Sequence, residues 1–320
     1  MATESKADNP LRPSEEELKR AGEVGMVLAA FARRVPNDPA VLSPSGNRSF
    51  RELNENANRL ARALRARGLR PGDSVALLCG NRPEFAEVLY ACLRSGLRYT
   101  PVNWHLTPEE AAYILDDCEA KGLIADAQFA ETAARTAALS PKVEVRLTIG
   151  GAITGFEPYE TALAEHDGSD LADPELGTRM LYTSGTTGRP KGVARPKAYA
   201  VARTTSLTAA AYAPGSGQLH LCTGPLYHAA PLAFSLTVPL AEGVGVVLME
   251  RWDAEEALRC IARYRITHTH MVPTMFHRLL RLPDEVKRRH DLTSLRYVIH
   301  GAAPCPVATK KALIEWLGPI

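Results

Sequence analysis

Residues 181–193 read LYTSGTTGRPKGV. Ten of the thirteen are Thr, Ser, Gly, Tyr, Lys or Arg, and apolar residues flank them. The stretch is too polar for a core and too ordered in composition for a linker. Gly185, Gly188 and Gly192 permit tight bends that bring backbone N–H groups close to a ligand. Thr183, Ser184, Thr186 and Thr187 add hydroxyls, and Lys191 adds a mobile positive charge. Such a donor set suits a polyphosphate. The string departs from the P-loop pattern, GxxxxGK[ST] between a strand and a helix. Here Pro190 precedes the lysine and Gly192 follows it. The flanks MLYT and GVAR read as two strands, so the loop is expected to close a hairpin. The competing reading is a Gly/Thr-rich turn with an exposed lysine.

Outward from this loop, short apolar runs alternate with amphipathic stretches. Buried strands are expected at 74–80, 121–126, 143–150, 243–249, 267–272 and 295–301. Between them, FRELNENANRLARALRARG at 50–68 is the clearest helix. It sets Leu53, Ala57, Leu60, Ala61 and Leu64 on one face, with Gly68 as its stop. Strand–helix alternation with strands apolar on both faces argues for α/β architecture with mostly parallel sheets. A charged connector at 151–178 interrupts the pattern. The expected division is a flexible tail at 1–20, a first α/β subdomain at 21–190 and a second at 191–320.

Composition narrows the function classes. The chain has 320 residues, enough for one large or two ordinary domains. With 38 basic and 36 acidic residues the net charge is +2, which gives no basis for nucleic-acid binding. The six cysteines form no CxxC pair, so neither a zinc site nor a disulfide framework is expected. That usage fits a reducing, cytoplasmic setting. The N-terminus lacks the apolar core of a signal peptide. The most apolar window, residues 231–249, is broken by Pro239, Glu242 and two glycines. It reads as a buried helix, turn and strand rather than a membrane span.

Taken together, the motifs resemble the adenylate-forming superfamily of acyl-CoA synthetases, non-ribosomal adenylation domains and beetle luciferases. TSGTTGRPKGV resembles that family's phosphate-binding loop over its whole length. SFRELNENANRLARAL and CLRSGLRYTPVNWHLTPEEAAYIL resemble its first two motifs. PLYHAAPL at 225–232 resembles the segment facing the carboxylate substrate. THTHMVPTMFHRLL at 267–280 resembles the strand and helix behind the acyl pocket, and HGAAPCP at 300–306 the loop against adenine. The resemblance runs from about residue 25 to the end. It implies two stacked flavodoxin-like sheet-and-helix layers, with ATP, Mg2+ and CoA as cofactors.

Carried over residue by residue, the resemblance makes Lys191, His228 and Thr183 the catalytic candidates. The phosphate loop spans Thr183, Ser184, Gly185, Thr186, Thr187, Gly188 and Lys191, and the adenine loop is Gly301, Ala302, Ala303 and Pro304. The acyl pocket would draw on Tyr227, His228, Ala229, Met271, Thr274 and His300. His228 alone could equally be an ordinary helix-start histidine, and residues 301–304 an ordinary strand–helix turn. His268 and His270 alternate on a strand and read as a packed or surface pair rather than metal ligands. The run KRRH at 287–290 reads as a solvated face. No resident metal site is expected.

The resemblance implies activation of a carboxylic acid by ATP and transfer to the thiol of CoA. Small and apolar residues after His228 favour a hydrophobic, fatty-type acid over an amino acid. In the family the pattern continues past the equivalent of Ile320 into a Tyr-Gly-x-Thr-Glu motif, a ribose-binding aspartate, a β-barrel, a hinge and a C-terminal domain. The chain is therefore expected to be an N-terminal portion, inactive alone, with exposed apolar surface. No transmembrane segment is expected, and a homodimer is admissible. Two alternatives stand beside this reading: a ligase that loads a carrier protein, and a non-catalytic nucleotide- or acyl-binding module.

Overall fold

The computed structural model describes residues 9–183, 190–195 and 211–320. Thirteen strands lie among the described residues: β1 (Pro39–Ser43), β2 (Gly46–Ser49), β3 (Ser74–Leu78), β4 (Arg98–Pro101), β5 (Ala120–Asp126), β6 (Val145–Ile149), β7 (Glu157–Pro158), β8 (Thr178–Thr183), β9 (Lys191–Arg195), β10 (Leu219–Cys222), β11 (Gly245–Leu248), β12 (His268–Met271) and β13 (Tyr297–His300). They form two sheets, ordered β13-β12-β10-β11-β1-β2 and β7-β6-β5-β3-β4-β8-β9. Only the terminal pairs β1–β2 and β8–β9 are antiparallel. The expected α/β class with largely parallel sheets is what the chain adopts.

Each sheet belongs to its own compact unit. One unit comprises the described residues of Met1–Arg12, Asn37–Ser49 and Thr204–Ile320, and the other Pro13–Pro36 and Phe50–Arg203. This differs from the expected division in three respects. A cut at 190 would fall within the β8–β9 hairpin, whose antiparallel ladder keeps residues 191–195 with the sheet before them. The β1–β2 hairpin belongs to the later sheet, because β1 pairs in parallel with β11. Gly245 permits that approach, since a Cβ there would lie 2.1 Å from the Pro39 carbonyl oxygen. The expected tail at 1–20 is also partly ordered. Ser14 caps the helix Glu15–Glu23 by accepting from the Glu17 N–H. Arg12 makes a shielded ion pair with Glu242, and Asn9 donates to the Pro214 carbonyl.

In the earlier unit, the helix Phe50–Ala66 buries Leu53, Ala57, Leu60, Ala61 and Leu64 completely, as the spacing predicts. Each such leucine contributes about 1.5–3 kcal/mol of burial. The polar positions Asn54 and Asn58 are buried too, because they hold Arg94. The Arg94 guanidinium donates to Asn54 Oδ1 at 2.9 Å and contacts Asn58, while both asparagine amides donate to Asp170. Burial pulls Arg94 down to about 10.

In the later unit, the sheet packs Leu221, Val247, Ala257 and Ile261 together, and Met271, Phe276, Leu279 and Leu313 form an adjoining cluster. The apolar window folds as helix Ala229–Leu232, a π-helical turn Ala233–Thr237, helix Val238–Ala241 and then β11. Pro239 has no N–H to offer the Ser235 carbonyl four residues back, which loosens the ladder where the π turn lies. No helix among the described residues is long and apolar enough to cross a membrane. Among the described residues, Tyr297, Val307, Ile314 and Ile320 are large hydrophobics exposed on β13 and the segment after it.

Candidate functional site

The hairpin expected to flank the Gly/Thr-rich loop is present. β8 and β9 pair in the register Leu181↔Val193, Tyr182↔Gly192 and Thr183↔Lys191. Thr183 and Lys191 are thus the last pair before the loop closes, and both are exposed. Directly opposed residues of an antiparallel pair share one face. The neighbouring residues explain which face. Met180 and Tyr182 pack on a core cluster with Ile114, Leu115 and Cys118. The Tyr182 hydroxyl donates to Asp117 Oδ2 at 2.5 Å. Burial, with the Asp117 contact behind it, raises the Tyr182 phenol well above its ordinary value. Gly192 makes room for this packing, since a Cβ there would lie 2.1 Å from Met180 Cε and 3.0 Å from the tyrosine ring. With Tyr182 turned into the core, Thr183 and Lys191 project from the opposite face. Ser184, Gly185, Thr186, Thr187 and Gly188 lie outside the described residues.

The second cluster sits in the later unit, at the carboxyl edge of its parallel strands. β10, β12 and β13 lie side by side and end at Cys222, Met271 and His300. Ligands of open α/β sheets bind outside these carboxyl ends. The segments that follow carry most of the remaining candidates. Tyr227 is buried, which raises its phenol above the ordinary value, and its ring centroid lies 4.5 Å from that of His228. His228 is exposed at the N-cap of the helix beginning at Ala229, with extended backbone and no side-chain cap. Thr223 ties this segment to the neighbouring strand by donating to the His270 carbonyl at 2.7 Å.

Among the other candidates, Thr274 is exposed in the first turn of helix Pro273–Leu280. Met271 is nearly fully buried in the cluster with Phe276 and Leu279, so it fills core. His300 is half-buried, edge-on to Phe276 at 6.0 Å. Gly301 is half-buried, and Ala302, Ala303 and Pro304 are exposed. Ala302 holds φ +66°, a left-handed conformation that costs a non-glycine residue about 1–2 kcal/mol. The turn after β13 is therefore strained beside the candidate adenine segment.

His220, His268 and His270 are all buried, and His220 and His268 are register partners. His220 places Nδ1 2.7 Å from the Tyr212 hydroxyl and Nε2 3.1 Å from Ser235 Oγ, so both nitrogens are partnered. His268 stacks on Tyr297 and meets the Tyr212 ring at a tilt, with Nδ1 2.7 Å from Thr267 Oγ1. His270 stacks on Phe234 with centroids 5.4 Å apart. Burial holds His220 well below its usual range and draws His268 and His270 to about 4. The pair on β12 is buried and packed against rings, His268 against Tyr212 and Tyr297 and His270 against Phe234. Phe234, Ser235 and Tyr212 carried no sequence signal, since a π turn and a cross-strand contact leave no local pattern.

The AMP-binding enzyme family matches residues 28–320. A fatty acid–[acyl-carrier-protein] ligase from Streptomyces coeruleorubidus is 32% identical over 287 residues, covering 89% of this chain and 53% of that protein. A feruloyl-CoA synthase from an Amycolatopsis species is 32% identical over 281 residues, covering 86% of this chain and 53% of that protein. The chain thus spans about half the length of the curated relatives it matches. Among solved structures, the anthranilate CoA ligase AuaEII in complex with anthranoyl-AMP superposes with a TM-score of 0.83 at 25% identity, covering 98% of this chain and 60% of that one. The two parallel-dominated sheets are those of the N-terminal domain in such ligases. With the family pattern matched from residue 28 to residue 320 on this fold, the chain belongs to the AMP-binding enzyme family.

Proposed function

We propose that this chain serves the ATP-dependent activation of a hydrophobic carboxylic acid, followed by thioester formation with CoA. The observation that carries this is the Thr183–Lys191 pair at the mouth of the Gly/Thr loop, within a chain of the AMP-binding enzyme family. An exposed hydroxyl and an exposed ammonium on one face fit a polyphosphate. In the reaction, a carboxylate oxygen of the acid forms a bond to the α-phosphorus of ATP, and the bond to pyrophosphate breaks. The thiol sulfur of CoA then takes the acyl group, AMP leaves, and the thiol proton passes to solvent.

Lys191 and Thr183 would stabilise charge building on the phosphates, the usual large contribution in such transfers. Magnesium, when bound with the triphosphate, would neutralise further charge and take most of its ligands from phosphate oxygens and water. His228 and Tyr227 would wall the approach of the carboxylate and hold it in line. Residues 301–304, small and after a strand end, would leave room for adenine. A second reading, loading of a carrier protein, is favoured by the 32% identity to a ligase whose acceptor is an acyl-carrier protein.

The test is mass spectrometry of reactions containing the full-length gene product, ATP, magnesium and a panel of carboxylic acids, with and without CoA. Residues 1–320 run alongside. Acyl-CoA from the full-length product supports the reading. Acyl-AMP that never passes to CoA moves it to carrier loading. No adduct with any acid overturns both.

A further inference from the structure

The two units treat their arginines differently. In the earlier unit, Arg62 donates to the carbonyls of Asp167 and Ser169, Arg65 pairs with Asp173, and Arg67 with Glu157 and Glu165. In the later unit, residues 273–296 carry six basic and three acidic side chains, a surplus of three where the whole chain has a net charge of +2. The three carboxylates are already taken. Asp284 pairs with Lys287 at 2.7 Å, Glu285 with Arg289 at 2.5 Å and Asp291 with Arg265 at 3.8 Å. Arg278, Arg281 and Arg288 are exposed and make no ion pair among the described residues.

These three arginines stand on one helical corner. Helix Pro273–Leu280 ends at Arg281, and helix Asp284–Arg288 follows after Leu282 and Pro283. The corner is tight. The Leu282 N–H donates to the Leu279 carbonyl at 3.2 Å and the Lys287 N–H to the Pro283 carbonyl at 3.1 Å. Lys287 Nζ reaches back to the Leu280 carbonyl at 3.5 Å and lies over the Trp316 ring at 5.5 Å. The run at 287–290, expected as a solvated face, is therefore divided: Arg288 and Arg289 are exposed, while Lys287 and His290 are half-buried. Arg278 and Arg281, three residues apart, share a helical face. Leu280, Leu282 and Val286 are half-buried, so apolar surface is interleaved with the charges. The eight-residue helix is about 12 Å long. Its first turn leaves the carboxyl edge of β12, and its last turn carries the arginines.

We propose that this corner docks the protein on an anionic lipid surface, with Arg278, Arg281 and Arg288 taking lipid phosphates and Leu280 and Leu282 meeting the headgroup layer. Guanidinium forks match phosphate oxygens bidentately. Basic side chains set among apolar ones are what an interfacial site requires, and it needs no membrane-spanning helix. A face that served only solubility would carry mixed charge rather than a surplus of one sign. The use of this docking rests on the acid-activating function proposed above. A hydrophobic acid partitions out of water into bilayers. Docking by this corner would hold the carboxyl edge of β12 about one short helix away from that store of substrate.

Vesicle flotation of the full-length gene product tests this, with vesicles of phosphatidylcholine alone or mixed in equal parts with phosphatidylglycerol. Wild type is expected to float with the anionic vesicles at low salt and to leave them at high salt. Each arginine is expected to contribute about fivefold in affinity, so Arg278→Ser, Arg281→Ser and Arg288→Ser combined should weaken binding on the order of a hundredfold. Lysine at the same three positions keeps the charge and should keep most of the binding. Arg20→Ser, Arg34→Ser and Arg135→Ser combined lower the net charge equally and should leave binding intact. Circular dichroism melts separate misfolding from lost docking. The Arg278, Arg281 and Arg288 serine variant should keep its kcat/KM for a water-soluble acid in free solution and lose turnover of a long-chain acid supplied in anionic vesicles. No flotation of wild type with anionic vesicles, or an equal loss in the Arg20, Arg34 and Arg135 variant, would overturn the proposal. Retention on polyglutamate without retention on vesicles would overturn it in favour of an acidic protein partner. Flotation needs no turnover, so failure of every acid to react would count against the acid-activating function and not against the docking.

Discussion

Acidification should destabilise the later unit far more than its surface charges would suggest. His268 and His270 are nearly fully buried and titrate at about 4, against about 6.5 in an unfolded chain. Their folded-state values are depressed, so between pH 6.5 and 4 the unfolded chain binds more protons than the folded one. Stability therefore rises with pH across that window. It is fully present above about 6.5 and lost as pH falls toward 4. Going from pH 7 to pH 5, each of the two histidines removes about 2 kcal/mol by linkage. Burial, with His268 and His270 behind it, also holds His220 well below its usual range, and this adds to the loss in the same direction. A combined loss of about 4 kcal/mol from two residues is a large part of the roughly 5–15 kcal/mol that holds a domain together. Urea unfolding followed by circular dichroism at pH 7, 6 and 5 measures it, with His270→Phe as the comparison. The variant should lose about 2 kcal/mol less than wild type over that range. Identical pH slopes for wild type and variant would refute the reasoning, because the ring would then not be held neutral by burial.

Three further outcomes are expected. Lys191→Ala should slow adenylate formation by the full-length product at least tenfold, while leaving unfolding within about 0.5 kcal/mol, since an exposed lysine packs little; full activity would remove this residue from the phosphate cradle. Ala302→Gly should raise stability by about 0.5–1 kcal/mol in a denaturant melt, as relief of the left-handed strain exceeds the entropy lost with glycine; a loss would mean that φ at this position is not positive. Arg94→Ala should cost about 3–5 kcal/mol, because it leaves Asn54, Asn58 and Asp170 without the buried cation they surround; a change under about 1 kcal/mol would show the network to be dispensable.

How much of this was legible beforehand depended on the range of the forces involved. The helix Phe50–Ala66 and the strands β3, β5, β6, β11, β12 and β13 follow from local periodicity, because burial of one face or both is written into neighbouring residues. The β8–β9 hairpin was legible for the same reason, and Gly192 marked it, although what that glycine admits is the ring of Tyr182. Pairing between distant segments was not legible. β1 joins β11 through Gly245, far along the chain from the Pro39 carbonyl it admits, and β10 is a short strand whose role appears only when β11 and β12 flank it. The site shows the same contrast. Thr183 and Lys191 could be named from chemistry. Alternation put His268 and His270 on one face, but only the three-dimensional structure shows that Tyr212 and Tyr297 lie against His268 and Phe234 against His270.

The pairing of β1 with β11 also sets a timetable. Val41 and Val246 are register partners, and 205 positions separate them along the chain. A ribosome adding about 5–20 residues per second emits the second roughly 10–40 s after the first. During that interval the β1–β2 hairpin has emerged but its parallel neighbour has not been made, and an isolated two-stranded hairpin is marginally stable in water. The open side of β1 offers unpaired N–H and C=O groups to any strand it meets, including β1 of a neighbouring nascent chain. Translation speed and chaperone cover between these two positions are therefore expected to govern the yield of native protein.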